Sequence, residues 1–254
     1  MAEPYQKSSL RDTFESLIVT VILAIFGTTF VVQAFKIPTG SMENTLLIGD
    51  HLLVNKFCFG YPQGPLARFL PYRRIRHNDI VVFKFPGPAD DAQEPGEHFV
   101  KRVIGLPGDR IRIVHRKVFV NGKEVPEPYV RNSFPNELRP GDDFPPVTWG
   151  EMQGATATWM AEFQNYVKNG WLVVPPHEYF VMGDNREESW DSRFWGFVPR
   201  KLIDGRPLII YWSYETPRGQ YMKNSLSDRL KQLGSMIIHF FTRTRWNRTF
   251  NLVH

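Results

Sequence analysis

The sequence predicts a mainly β protein, in which an antiparallel β-sheet domain with a small insert follows one N-terminal transmembrane helix. Three observations carry this reading. Residues 16–34 form an uncharged run between Glu15 and Lys36. From residue 51 onward the apolar residues come in short runs separated by Gly, Pro and Asn, a pattern that suits strands better than helices. Within them, Val118, Phe119 and Val120 lead into Asn121-Gly122, a pair that favours a two-residue hairpin turn.

At a helical rise of about 1.5 Å per residue, the run 16–34 covers roughly 28 Å, the thickness of a bilayer's hydrocarbon. A cleaved secretory signal is the competing reading, since Val32, Gln33 and Ala34 resemble a small-x-small cleavage site. Signal peptides, however, have apolar cores of roughly 7 to 15 residues behind a net positive segment. This run is longer and its leading segment is not net positive, so it is read as an uncleaved anchor. Lys7 and Arg11 precede it and only Lys36 follows closely, a bias that places residues 1–15 in the cytoplasm. Residues 35–220 then form an extracytoplasmic, periplasmic domain on the outer face of the cytoplasmic membrane.

Within that domain the expected strands are 51–57, 79–85, 98–105, 110–120, 171–174, 178–182 and 207–214, with a hairpin closing at 118–125. Trp159, Met160, Phe163, Tyr166 and Val167 recur at spacings of three and four and stop before Gly170, as one helix packed on a sheet would. They belong to an insert over about 125–170. Between residues 57 and 76, aromatic and basic side chains alternate, as expected either of core or of an interfacial patch beside the anchor.

Charge narrows the function. The formal net charge is +5 and the pI about 9.3. Yet residues 221–254 hold six basic side chains and one acid, which is the whole excess. A neutral body with a basic, amphipathic C-terminal tail is not the footprint of a protein that binds nucleic acid, and no nucleic-acid partner is expected. The tail instead suits contact with membrane phospholipid. With 42% hydrophobic residues the chain is not disordered. Cys58 is the sole cysteine, and no Cys/His cluster has metal-ligand spacing, so neither a metal nor another cofactor is expected.

Three stretches carry chemistry. Ile37-Pro38-Thr39-Gly40-Ser41-Met42-Glu43-Asn44-Thr45-Leu46 places a serine within roughly 23 Å of the span's end, at about 3.3 Å per extended residue. On the strand from His98, alternation puts Lys101 on one face with Phe99 and Val103, and Arg102 on the other with Val100 and Ile104. Burial of such a lysine lowers its pKa and makes it a base near neutrality, which an unactivated serine needs. The loop from Gly183 to Gly196 is dense in hydrogen-bonding side chains beside Trp190, Phe194 and Trp195, and Asp191 and Arg193 can pair within it.

Together these stretches resemble the motifs of the type I signal peptidases, membrane-bound serine proteases that remove signal peptides from secreted preproteins. The match covers P-[ST]-G-S-M with its following T-L, D-I-V-V-F at 79–83, K-R-x-x-G-x-P-G-D from Lys101, and G-D-N-R-x-x-S-x-D-S-R-x-W-G from Gly183. It runs in the family's order from the anchor to about Tyr214. The resemblance implies Ser41 as nucleophile and Lys101 as general base. Thr39 then joins the Ser41 N–H in an oxyanion hole, Ser189 orients the lysine, and Asp191 with Arg193 supports that loop. It also implies substrates with small residues at positions −1 and −3, in pockets lined by Ile37, Pro38, Met42, Leu46, Phe99 and Val100. Asn44 stands where the family commonly has Pro, and Asn78 where Gly usually precedes the Asp.

Two other readings compete. A noncatalytic, membrane-anchored periplasmic binding module would be marked by loss of Ser41 or Lys101, and both are present. A serine-lysine self-processing repressor is usually soluble, and the span argues against it. The sequence has no H-E-x-x-H and no S-x-x-K, and nothing in it calls for a Ser-His-Asp triad.

Overall fold

The computed structural model describes residues 9–59, 72–87, 96–132, 137, 139–146, 153–217 and 233–253. Helix α1 (Ser9–Phe26) takes up the first part of the apolar run, a π-helical turn follows over Gly27–Val31, and strand β1 (Val32–Lys36) leaves it. The expected single span of 16–34 is therefore divided. Its last three residues pair with strand β2 (Asp50–Asn55), Val32 opposite Asn55, Gln33 opposite Val54 and Ala34 opposite Leu53. An apolar, β-branched run satisfies helix and strand patterns alike, and here the ladder to β2 decides. α1 has 18 residues, with Arg11, Asp12 and Glu15 in its first half. Among the described residues no helix is long and apolar enough to cross a membrane.

The remaining strands are β3 (Ile80–Lys84), β4 (His98–Gly105), β5 (Arg110–Val114), β6 (Lys117–Val120), β7 (Lys123–Glu124), β8 (Val167–Lys168), β9 (Trp171–Val173), β10 (Glu178–Met182), β11 (Val198–Pro199), β12 (Ile203–Ser213) and β13 (Asn251–Leu252). They make two antiparallel sheets. The larger runs β1-β2-β12-β3-β4-β10-β11, with β13 also on β12, and the smaller runs β7-β6-β5-β9-β8. The predominantly antiparallel β architecture read from the sequence is thus present. Asn121 (φ 53°) and Gly122 (φ 85°) close the expected hairpin, with Val120 opposite Lys123. The expected strand 110–120 breaks at His115 and Arg116, both with positive φ (47° and 70°).

β3 lies between β12 and β4 and is buried on both faces, so its core residues are continuous rather than alternating. Val81 and Phe83 pack with Val103, Val181, Trp195 and Val198 on one side. Ile80 and Val82 pack with Ile37, Met42, Leu46, Leu52 and Ile210 on the other. The insert's helix α2 (Ala157–Glu162) is capped by Thr156, whose side chain accepts from the Trp159 N–H. A 3₁₀ turn over Phe163–Tyr166 cuts short the expected helix, and Trp159 and Phe163 pack on the smaller sheet with Ile111, Val118 and Leu172. Of the aromatic-basic segment, Tyr61, Arg68 and Phe69 lie outside the described residues. Phe59 is core, and Arg73 pairs with Asp79 at 2.7 Å.

The chain's end differs from the expected tail. Residues 221–232 lie outside the described part, but β13 joins the larger sheet through Ile209 opposite Leu252 and Ile210 opposite Asn251. Arg248 meets the buried Asp50 at 2.7 Å and Arg245 approaches it at 3.8 Å. Two of the basic groups in the tail expected to suit membrane phospholipid are thus held at a carboxylate of the domain.

Candidate active site

Beyond β1 the chain enters a tight turn. The Glu43 N–H donates to Gly40 O (3.0 Å) and the Leu46 N–H to Met42 O (2.8 Å). Met42 (1% exposed) and Leu46 (0%) sink into the core below and hold the turn from inside. Ser41 stands on this turn, itself buried. Asn44 has φ 93°, a value closed to proline's fixed ring, and Asn78 has φ 67°, where a glycine would sit without strain.

Lys101 occupies the middle of β4, opposite Val81, on the face it shares with Phe99 and Val103. Its Nζ lies 2.7 Å from Ser41 Oγ. Only 4% of the residue is exposed, and burial, reinforced by the Arg193 charge, brings its pKa down to about 8 against the opposing pull of Asp191 and Asp184. About a tenth of the amine is therefore neutral at pH 7 and about half at pH 8, and a hydroxyl stands within its reach. The pair can act as nucleophile and base.

Arg102 projects to the opposite face, as alternation requires. Its Nε and Nη2 grip the two oxygens of the buried Asp184 at 2.8 and 2.7 Å. Asp184 also accepts from Thr45 Oγ1 at 2.5 Å, so one carboxylate ties β4 to the turn that carries Ser41.

The loop after β10 completes the site. The Asn185 N–H donates to Ser41 O (3.1 Å) and its side-chain Nδ2 to Gly40 O (3.2 Å). Asp191 is fully buried and accepts from the Gly183 N–H (3.0 Å) and from Arg193 through Nε (2.8 Å) and Nη2 (2.9 Å). Burial alone would raise the Asp191 carboxyl; the Arg193 charge and hydrogen bonds, with Lys101 and the Gly183 N–H, outweigh it and hold the pKa below the ordinary value. Gly183 fits where nothing larger would. A Cβ there would lie 2.2 Å from Ser189 Oγ and 2.5 Å from Ser41 O.

A cleft of about 200 Å³ opens over Ser41 and Lys101. Thr39, Ile37, Pro38, Met42, Phe99 and Val100 line it, together with Trp190. Leu46, expected there as well, does not line it: it is fully buried beneath the turn, where it anchors rather than binds. Ser189 is brought against Gly183, but its buried Oγ has no hydrogen-bond partner among the described residues, so the expected link to Lys101 is not formed. His98 points to Asp204 (3.1 Å) rather than to Ser41. Among the described residues no group of His, Cys, Asp or Glu gathers as metal ligands do. Sequence reasoning missed Asn185 as the clasp on Ser41, although it stands inside the loop motif.

Comparison with known proteins agrees with this geometry. The family described as signal peptidase, peptidase S26, matches residues 10–212. The chain is 34% identical over 198 residues to a probable signal peptidase I-2 of Synechocystis sp., covering 78% of this chain and 71% of that protein. It is 33% identical over 213 residues to signal peptidase I of Leptolyngbya laminosa, covering 83% and 84%. With signal peptidase I of Pseudomonas aeruginosa the identity is 31% over 234 residues, covering 87% and 78%. With a serine and a lysine in contact at the bottom of a cleft, and a family match across most of its length, the chain belongs to the signal peptidase family, peptidase S26, and is a serine endopeptidase.

Proposed function

We propose that this chain removes N-terminal signal peptides from secreted preproteins, with Ser41 as nucleophile and Lys101 as general base. The buried 2.7 Å contact between them carries the reading. Neutral Lys101 takes the Ser41 hydroxyl proton as Oγ attacks the scissile carbonyl carbon. The Ser41 N–H and the Thr39 hydroxyl, which lines the same cleft, stabilise the tetrahedral oxyanion. The intermediate collapses, and the leaving amine of the mature chain receives the proton from Lys101. Lys101 then takes a proton from water, which attacks the ester on Ser41, and returns it to Ser41 Oγ as the signal peptide leaves as a carboxylic acid. Asp191 and Arg193 hold the loop beside the pair, with Ser189 as its buried hydroxyl. No cofactor takes part.

Substrate enters as an extended strand between the chain at 36–38 and the start of β4, which border the cleft. Small side chains at −1 and −3 suit its apolar walls, formed by Ile37, Pro38, Met42, Phe99 and Val100. The apolar side chains of α1 are more than half exposed at Leu17, Ile18, Ile22 and Leu23, which supports its use as the membrane anchor. With residues 1–15 in the cytoplasm, the catalytic domain stands outside, beside membrane phospholipid, where a signal peptide's cleavage site emerges. The test is Ser41→Ala in the full chain, assayed in detergent on a preprotein with an Ala-x-Ala site. Cleavage should vanish while the fold is kept; retained cleavage removes Ser41 from the mechanism.

A further inference from the structure

Residues 127–131, just after β7 at the start of the insert, hold all three parts of the site. The Arg131 guanidinium pairs with Glu43, whose carboxylate folds back over Gly40, next to Ser41. The Arg131 N–H donates to Asp184 O at 2.9 Å. The Tyr129 carbonyl accepts from Asn44 Nδ2 (3.3 Å), and its ring lies 3.9 Å from the guanidinium carbon of Arg102, the neighbour of Lys101. Its hydroxyl lies 2.9 Å from Asn78 Oδ1 and 3.2 Å from Glu127 Oε1. Glu127 in turn forms a buried pair with Arg186, whose Nε donates to Gly183 O (3.1 Å). The turn of Ser41, the strand of Lys101 and the loop from Gly183 are thus each tied to five consecutive residues. Asn44 and Asn78, the two departures from the family pattern, both reach the same tyrosine.

We infer that residues 127–131 are a positioning strap that sets Ser41 Oγ against Lys101 Nζ, with Arg131 and Tyr129 as its positioning residues. Neither side chain touches the reacting atoms. Each acts through a neighbour: Arg131 through Glu43 on the nucleophile turn, and Tyr129 through Arg102 and the two asparagines. This rests on the Ser41 and Lys101 reading, because a strap matters only if that distance is catalytic. Misplacement of a reacting group by about 1 Å can cost on the order of a hundredfold in rate, so loosening the turn should appear in kcat.

The experiment measures kcat and KM of the full chain in detergent on one preprotein, for Arg131→Ala, Tyr129→Phe and the exchange Glu43→Arg with Arg131→Glu, each below its melting temperature. Arg131→Ala should lower kcat roughly ten- to a hundredfold, with KM changed by no more than about twofold. Tyr129→Phe keeps the ring on Arg102 and should lower kcat by less. The charge exchange restores the pair with its sign reversed and should recover most of the kcat lost by Arg131→Ala. Full kcat in both Arg131→Ala and Tyr129→Phe overturns the strap, as does an exchange variant no faster than Arg131→Ala. Ser41→Ala, run in parallel, separates the two ideas. If it still cleaves, the nucleophile reading fails; if it is inactive while the strap variants run at full kcat, only the strap fails.

Discussion

Ser41 Oγ and Lys101 Nζ lie 2.7 Å apart although sixty residues of chain separate them. The turn that carries Ser41 is pinned by Met42 and Leu46 in the core, and the strand that carries Lys101 lies between two others in the larger sheet. Neither side chain can leave without disturbing packed structure. The contact is therefore built into the fold, and its burial lowers the lysine's pKa toward the range that the proposed base needs.

With the Lys101 pKa at about 8, activity should rise with pH. A base must be neutral to accept a proton, so roughly a tenth of the enzyme is competent one unit below that value. The logarithm of kcat/KM should climb with unit slope up to about pH 8 and then level off. A rate that is flat from pH 6 to 9 would exclude Lys101 as the base.

The same burial costs stability, and the sign follows from linkage. The folded pKa of about 8 lies below the ordinary 10.5, so the unfolded chain binds more protons between those values. Stability should then rise with pH across that window, and the full cost should be present below it. Lys101→Met removes the titrating group and should raise stability at pH 7 by on the order of 3 kcal/mol, at 1.36 kcal/mol per pKa unit. Its advantage should disappear above about pH 10.5. Urea midpoints of both proteins at the two pH values check this, and a Met variant less stable at pH 7 would contradict it.

Much of this was legible locally. The opposite faces of Lys101 and Arg102, the Asn121-Gly122 hairpin and the bounds of β4 and β10 follow from period-two alternation and turn chemistry, which depend on near neighbours. What escaped is decided at long range. Val32 to Lys36 read equally well as helix until β2 pairs with them. The break at His115 comes from Asp142 and Asp143, whose carbonyl and carboxylate take the Arg116 and His115 N–H groups. Glu43, Arg131, Arg245 and Arg248 are charged residues that look solvated in a sequence, because their partners lie tens of residues away or more. Leu46 fits both pocket and core, and only its depth separates the two.

Gly183→Ala should abolish activity while most of the fold survives. An added methyl would meet Ser189 Oγ at 2.2 Å and Ser41 O at 2.5 Å, both far inside contact distance. The loop must move, and with it the Asn185 N–H that holds Ser41 O. Overpacking of this kind costs about 1–3 kcal/mol, which a folded domain survives. Circular dichroism and cleavage, measured together, test it; an active Gly183→Ala enzyme would show that the loop is free to shift.

Arg248→Ala should weaken both stability and catalysis from a site far along the chain. Asp50 is fully buried and accepts from the Leu47 N–H (2.8 Å), Ser213 Oγ (2.6 Å) and Arg248 Nη2 (2.7 Å). The same Nη2 donates to Thr45 O at 2.9 Å, so the guanidinium joins the chain's last strand region to the turn that carries Ser41. Without it a buried carboxylate loses a charged partner. Removal of one member of a buried pair costs about 3–5 kcal/mol, and the part-exposed Arg248 side chain lowers the expectation to roughly 2–3 kcal/mol. Arg248→Lys offers a single nitrogen and should recover only part of the loss. Urea unfolding gives the stability, and kcat at a temperature where both proteins are folded gives the effect on the turn. A variant as stable and as fast as the parent would mean that Leu47, Ser213 and Arg245 suffice for Asp50, and that Arg248 is dispensable to the site.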